Sequence, residues 1–242
     1  MTEINPAVIA ILSAALYVFG YYRMPFVYGG ILLQVVYIVL RGAELDRLPL
    51  VGPHDTLFFL SASFMLFALP ASFSLEKKER FLNAAIALTV CFIFASFLAK
   101  PHSYPLPPIL RTFWFEVHVA LSFFSYALFG LAAVLGGLYL KDRESRLEAL
   151  QYKMILVGFF FFSVAMIFGG IWGYYAWGTY WLWTPKELWT VILWLFYSLY
   201  LHARLRPWWT GRPAAMLGIA GFGIVLFTYL GVSLLMKSSH SF

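Results

Sequence analysis

Long apolar runs alternate with short charged segments along the whole chain, and the runs show no strict two-residue alternation. Eight stretches, roughly 7–22, 24–40, 56–75, 81–99, 114–140, 154–172, 188–203 and 214–236, hold almost no Asp, Glu, Lys or Arg. A helix needs about 20 residues to cross the hydrocarbon core of a bilayer, with a range of about 17–25. A barrel strand would need about half as many, with alternating polarity. At these lengths only helices satisfy their own backbone inside lipid. The pattern therefore predicts an all-α integral membrane protein, a polytopic bundle of about eight transmembrane helices. The first two runs are short, and only a tight turn at Arg23, Met24 and Pro25 separates them.

Composition agrees with the pattern. Of 242 residues, 62% are hydrophobic and 12% charged, where a soluble domain carries about twice that charged fraction. The length fits one continuous transmembrane domain, 1–242. The N-terminus has Glu3, no basic n-region and no small-residue cleavage site, so the first apolar run is expected to be retained. The single cysteine, Cys91, excludes a disulfide or CxxC motif within this chain.

Charge then orients the helices. Arg23, 76–80, 141–153 and 204–213 would share one side of the membrane and carry 11 basic and 5 acidic residues, leaving 6 of each for the other side. Basic loops stay cytoplasmic, which places both termini and the tryptophan-rich segment 172–189 outside. The net charge of +6 is thus a topology signal, and no nucleic-acid partner is expected.

The chain has no P-loop, GxGxxG, HExxH or GxSxG motif, so its few ionisable groups and its aromatics carry the chemistry. His54, His102, His118 and His240 fall at or beyond the outer ends of the predicted helices. His202 lies near the inner end of the seventh, roughly 21 Å below its outer end at 1.5 Å per residue. Segment 172–189 holds five of the nine tryptophans and reads as an external loop. An interfacial aromatic belt accounts for Trp208 and Trp209. It accounts poorly for five tryptophans in one segment, whose Gly173 and Gly178 would admit close backbone approach to a flat ligand. Thr184, Pro185 and Glu187 form a capping-box pattern that starts the next helix.

His118, Ser122 and Tyr126 recur at a spacing of four on one helix face. Taken singly, each outer histidine reads as an interfacial hydrogen-bonder. Beside the tryptophan segment, His118 and His240 read as a bis-histidine haem site with Trp172, Trp177, Trp181 and Trp183 as its walls. His202 is a candidate because an ionisable residue within a span marks function by default, with a residue simply wetted near the inner interface as the equal alternative.

The run Trp177-Gly-Thr-Tyr-Trp-Leu-Trp-Thr-Pro-Lys-Glu resembles the tryptophan-rich "WWD" signature of the cytochrome c assembly family (CcsA/CcmC type). The continuation to Leu199-Tyr-Leu-His-Ala-Arg favours the CcsA branch, the haem-handling half of the System II cytochrome c synthetase. Pro108, Leu110, Trp114 and His118, followed by Ser125-Tyr126, resemble the family's first external histidine segment. Gly231-Val-Ser-Leu-Leu with His240 resembles the second, and Arg41, Pro49-Leu50 and Asp55 resemble the loop before the third helix.

The resemblance implies that haem b is carried as cargo from the cytoplasm to the outer face. His202 would ligate it within the bilayer together with a histidine of a CcsB/ResB-type partner. His118 and His240 would hold it at the tryptophan segment as axial ligands, for attachment to the CxxCH cysteines of an apocytochrome c. The cell membrane of a bacterium, or a thylakoid-like equivalent, is the implied location. Where the family has Asp, this chain has Thr184. Leu188 replaces a Thr, and His54 and Asp55 replace a Tyr and a Glu. These departures keep a second reading open, a non-catalytic haem-binding scaffold or regulator of haem synthesis. An electron-transfer subunit would pair buried histidines on facing helices, and only His202 falls deep in a predicted span.

Overall fold

The computed structural model describes residues 6–101 and 107–236. Four helices come first: α1 (Pro6–Gly20), α2 (Met24–Leu45), α3 (Pro53–Ser72) and α4 (Lys78–Ser96). A 3-10 turn, Pro108–Leu110, precedes α5 (Phe113–Asp142), α6 (Ser145–Trp177) and α7 (Pro185–Ala203). A second 3-10 turn, Pro207–Trp209, leads into α8 (Arg212–Leu226). A π-helical turn, Phe227–Gly231, then joins α8 to the short α9 (Val232–Leu235). There is no strand among the described residues.

Each of the eight apolar runs contains a helix, although residues 21–22, 73–75 and 97–99 at the run ends are not helical. Six helices, α2 to α6 and Arg212–Gly231, are long and apolar enough to cross a membrane. The protein is therefore a multi-pass, all-α membrane protein. Helix α1 has 15 residues and is short for a crossing, and α7 is outside the six. At 1.5 Å per residue α5 and α6 extend about 45 and 50 Å, so both project beyond a hydrocarbon core of about 30 Å.

Helix α6 is longer than its apolar run predicts, at both ends. Its start at Ser145 takes in a segment expected to be a connection, because Leu147, Leu150 and Gln151 recur at helical spacing and are buried. Its end at Trp177 takes in the first third of the expected tryptophan loop.

The helices form two compact units, residues 1–106 and 107–242. In the first, α1 pairs with α2 and α3 with α4. A Cβ on Gly30 would lie 2.9 Å from the Tyr17 ring, so the small residue lets that ring cross α2. The Tyr17 hydroxyl donates to Gln34 Oε1 (2.5 Å), Gln34 Nε2 donates to Ser61 Oγ (2.8 Å), and Ser61 donates to the Phe58 carbonyl (2.6 Å). This buried relay ties three helices together.

In the second unit α5 lies along α6 and against α8, and α7 touches α6 and α8. The buried Gln151 of α6 donates from Nε2 to the Ala215 carbonyl of α8 at 3.3 Å. A Cβ on Gly136 of α5 or Gly218 of α8 would come within 2.5 and 2.1 Å of that same nitrogen. Phe129 stacks on Tyr197 at 3.6 Å and 9° and joins α5 to α7.

Gly218→Ala is expected to push Gln151 out of its seam and destabilise the second unit by about 1–3 kcal/mol, the usual cost of overpacking. Gly223→Ala, where nothing lies within 4 Å of the added methyl, should be close to neutral. Thermal unfolding of the two variants in one detergent separates them.

Candidate functional site

The site is built at the end of the α5–α6 pair. Thr112 caps α5 by accepting from the Phe115 N–H at 3.3 Å, and Glu116 in the first turn suits the helix dipole. The turn before α5 is tied to α6 by Trp172, whose Nε1 donates to the Ile109 carbonyl at 2.8 Å. Trp172 is buried, packing on Phe115 at 5.2 Å and edge-on to Trp177 at 4.8 Å. Beside it Trp114 packs on Phe168 at 5.5 Å and lies parallel to Tyr175 at 6.5 Å.

One helical turn along α5 from Phe115 lies His118, half-buried against α6. Its Nδ1 is 2.7 Å from the Ala165 carbonyl. A carbonyl can only accept, so in the neutral imidazole Nδ1 carries the proton and Nε2 keeps its lone pair. Ring nitrogens held in this way are the common arrangement for a metal-ligating histidine. Lys186, on the first turn of α7, lies within electrostatic range of the ring.

The predicted polar stripe is narrower than its spacing suggests. Ser122 turns back and donates to the His118 carbonyl at 2.7 Å. Tyr126 is buried among Phe123, Phe162 and Tyr229.

The tryptophan segment is only partly a loop, which corrects the expectation for 172–189. Trp172 to Trp177 end α6, residues 178–184 connect, and Pro185 starts α7. Gly173 does not break the helix. A Cβ there would sit 3.3 Å from the Thr179 carbonyl, so the glycine admits the chain's own returning backbone. Gly178 ends α6 with φ +76°, the left-handed position that favours glycine.

At the far end of the connection the capping box is complete. Thr184 Oγ1 accepts from the Glu187 N–H at 3.4 Å, and Glu187 Oε2 accepts from the Thr184 N–H at 3.0 Å and the Leu182 N–H at 2.9 Å. Those bonds straddle Trp183, which is exposed and held at φ +58°, an uncommon and strained position for a bulky residue. Trp181 meets Trp183 edge-on at 6.5 Å. Trp189, past the cap, packs on Phe227 of the π-helical turn at 4.5 Å.

The structure thus brings His118, Trp172 and Trp177 to one end of the unit, with Trp181 and Trp183 on the short connection that follows. It does not bring His202 there. That residue is 17 positions beyond Pro185, about 26 Å along α7. It lies near the far end of α7, exposed on the helix surface, and its Nδ1 donates to the Ser198 carbonyl of its own helix at 2.8 Å. His240 lies outside the described residues. Sequence reasoning missed Gly169, the Ala165 carbonyl and Lys186. The one available signal was the Gly169-Gly170 pair inside an apolar run.

The first unit has its own polar cluster. His54 Nδ1 donates to the Ser96 carbonyl (2.9 Å), which leaves Nε2 to accept from the Tyr37 hydroxyl (2.9 Å). Both ring nitrogens are engaged, so His54 is a satisfied core histidine. Buried Arg41 pairs with Glu44 at 2.8 Å and with Asp55 at 3.5 Å. A cavity of about 260 Å³ is lined by Tyr37, Arg41, His54, Phe97 and Lys100, among others. Among the described residues no three His, Cys, Asp or Glu converge as a metal centre.

Comparison with known proteins points to one class, the cytochrome c assembly proteins. The model of the family described as Cytochrome C assembly protein matches residues 52–240. The chain belongs to that family and is of the CcsA type. It is 33% identical to the cytochrome c biogenesis protein CcsA of Chlamydomonas reinhardtii, over 87% of this chain and 65% of that one. It is 30% identical to CcsA of Prochlorococcus marinus (strain NATL2A), over 85% and 79%. Identity to CcsA of Guillardia theta is also 30%, over 89% and 84%. Among solved structures, the cytochrome c haem lyase CcmF shares the fold with a TM-score of 0.65 at 15% identity, over 95% of this chain and 48% of that one.

Thr184→Ala should cost about 1 kcal/mol of local stability at the start of α7, and Thr184→Asp should be tolerated, because Asp caps as well as Thr. Hydrogen exchange over residues 184–190 reads the difference. A silent Ala variant would show that the hydroxyl does not hold the turn.

Proposed function

We propose that this chain carries haem b to the outer face of the membrane and presents it there to an apocytochrome c, as the CcsA-like subunit of a cytochrome c synthetase. One observation carries the reading. The His118 imidazole is held by a backbone carbonyl, with its second nitrogen left as an electron-pair donor, at the end of the α5–α6 pair where Trp172 and Trp177 pack together. A single such nitrogen supplies one axial ligand. His240 is proposed as the other, and Trp172, Trp177, Trp181 and Trp183 as the aromatic surface for the macrocycle. Lys186 would offer its charge to a carboxylate of the bound haem.

In this reading the side chains do little bond chemistry themselves. They hold the substrate in a fixed orientation, so that the cysteine thiols of a CxxCH motif meet the vinyl groups at high effective concentration. The seven-residue connection, turned at Gly178 and hydrogen-bonded to Glu187, suits that task.

His202 takes a separate role in the proposal. Leu188, Ile192, Leu195 and Leu199 are exposed and precede it at spacings of four and three, so all five share one face of α7. A polar ring on an otherwise apolar face is costly against lipid. A partner helix of the CcsB/ResB type, supplying its own histidine, would cover the face and complete a bilayer haem site. A non-catalytic haem scaffold is the second reading. It is favoured by Thr184, which caps α7 fully without the carboxylate found in the family.

Haem should copurify with the chain in detergent. His118→Ala and His240→Ala should each lower haem content and change the spectrum, and added imidazole should partly restore both. His202→Ala should lower haem delivery more than ligation and respond less to imidazole. Wild-type spectra in the first two variants would defeat the bis-histidine reading.

The charge asymmetry further requires that alkaline phosphatase be active when fused after Phe242 and inactive when fused within 141–153. The reverse pattern would remove the histidines and tryptophans from the outer side.

A further inference from the structure

An α-helical carbonyl is normally screened by the side chain four residues ahead, whose N–H it accepts. For the Ala165 carbonyl that residue is Gly169, which has no side chain. The opening is filled by the His118 ring. A Cβ built on Gly169 would lie 2.6 Å from His118 Nδ1, 2.7 Å from Cε1 and 3.3 Å from Cγ. The same ring makes its 2.7 Å hydrogen bond to the carbonyl that the glycine uncovers. A backbone carbonyl has two lone pairs, so it can take the imidazole N–H without losing its helical bond. The adjacent Gly170 is different. A Cβ there would meet nothing closer than the Tyr180 carbonyl at 3.6 Å, an ordinary contact.

We infer that Gly169 is the positioning residue of the site: by exposing the Ala165 carbonyl it fixes the His118 imidazole in the tautomer and orientation that present Nε2 as a metal ligand. The orientation rests on geometry alone, and its purpose rests on the reading of His118 as a haem ligand. Adding a methyl group at 169 cannot be absorbed by the ring in place. The ring is the mobile end of a side chain, so it swings away and gives up its bond to Ala165. Alanine does not weaken the α6 helix itself, since it favours a helix over glycine. Partners that orient a ligating histidine are typically worth roughly 10–100-fold in metal affinity, and the same loss is expected here.

The test uses the full chain in detergent with ¹⁵N-labelled histidine, the His118 signals being assigned by their loss in His118→Ala. Wild type should show a slowly exchanging Nδ1–H and an unprotonated Nε2 for His118. Gly169→Ala should lose that protected proton, and Gly170→Ala should keep it. Titration with haem should then show a six-coordinate low-spin spectrum for wild type and Gly170→Ala. For Gly169→Ala it should show roughly 10–100-fold weaker binding that added imidazole restores.

An Nε2–H tautomer in the wild type would overturn the inference without any variant. So would a Gly169→Ala protein that retains both the protected proton and the wild-type haem spectrum. If His118→Ala itself leaves the haem spectrum unchanged, the ligand reading fails, while the histidine signals still decide whether Gly169 orients the ring.

Discussion

A bilayer offers no water to a polar side chain, so each polar group within a span must be satisfied by the chain itself. That constraint shapes many of the side-chain bonds, although the buried hydroxyls of Thr89, Ser125, Tyr197 and Tyr200 have no hydrogen-bond partner among the described residues. Ser13, Ser61, Ser63, Ser72, Ser96, Ser122 and Ser163 all donate to carbonyls three or four residues back on their own helices. The histidines obey the same rule, since His54, His118 and His202 each direct Nδ1 at a backbone carbonyl. What separates them is the other ring nitrogen. Tyr37 occupies it in His54, and the same bond in His118 and His202 leaves an electron pair to be used.

The connection between α6 and α7 answers a second demand, that an aromatic surface be held still without a regular element beneath it. Three contacts achieve this over seven residues. Gly178 turns the chain, Gly173 lets it fold back against α6, and the Glu187 carboxylate gathers two N–H groups around Trp183. The strain at Trp183 is offset by those charged hydrogen bonds, which are stronger than neutral ones. A surface ordered in advance loses less entropy when a flat ligand settles on it.

Buried charge is concentrated in the first unit. Arg41 and Asp55 are almost fully enclosed, and their 3.5 Å separation is longer than a good charge-assisted bond. Removing one partner of such a pair leaves an uncompensated charge, which is far more damaging than losing the attraction. Arg41 also holds Glu44, so a single guanidinium serves both the end of α2 and the start of α3.

Hydropathy alone determined that the chain is helical, multi-pass and embedded in a membrane, because the bilayer imposes length and apolarity residue by residue. The helix start at Thr184, Pro185 and Glu187 was equally legible, since a capping box is a local device. The family signature pointed to His118 and to the tryptophans. Only the tertiary structure decided which nitrogen of His118 is free, because its partner is a carbonyl 47 positions away on another helix. Gly169 was invisible for the same reason, as its meaning lies in the ring that fills the space it leaves. Position along α7 placed His202 near the inner end of the helix, but depth does not say which face a residue occupies. That was settled by how α7 packs on α6 and α8, which turns Tyr197 and Tyr200 inward and leaves His202 exposed.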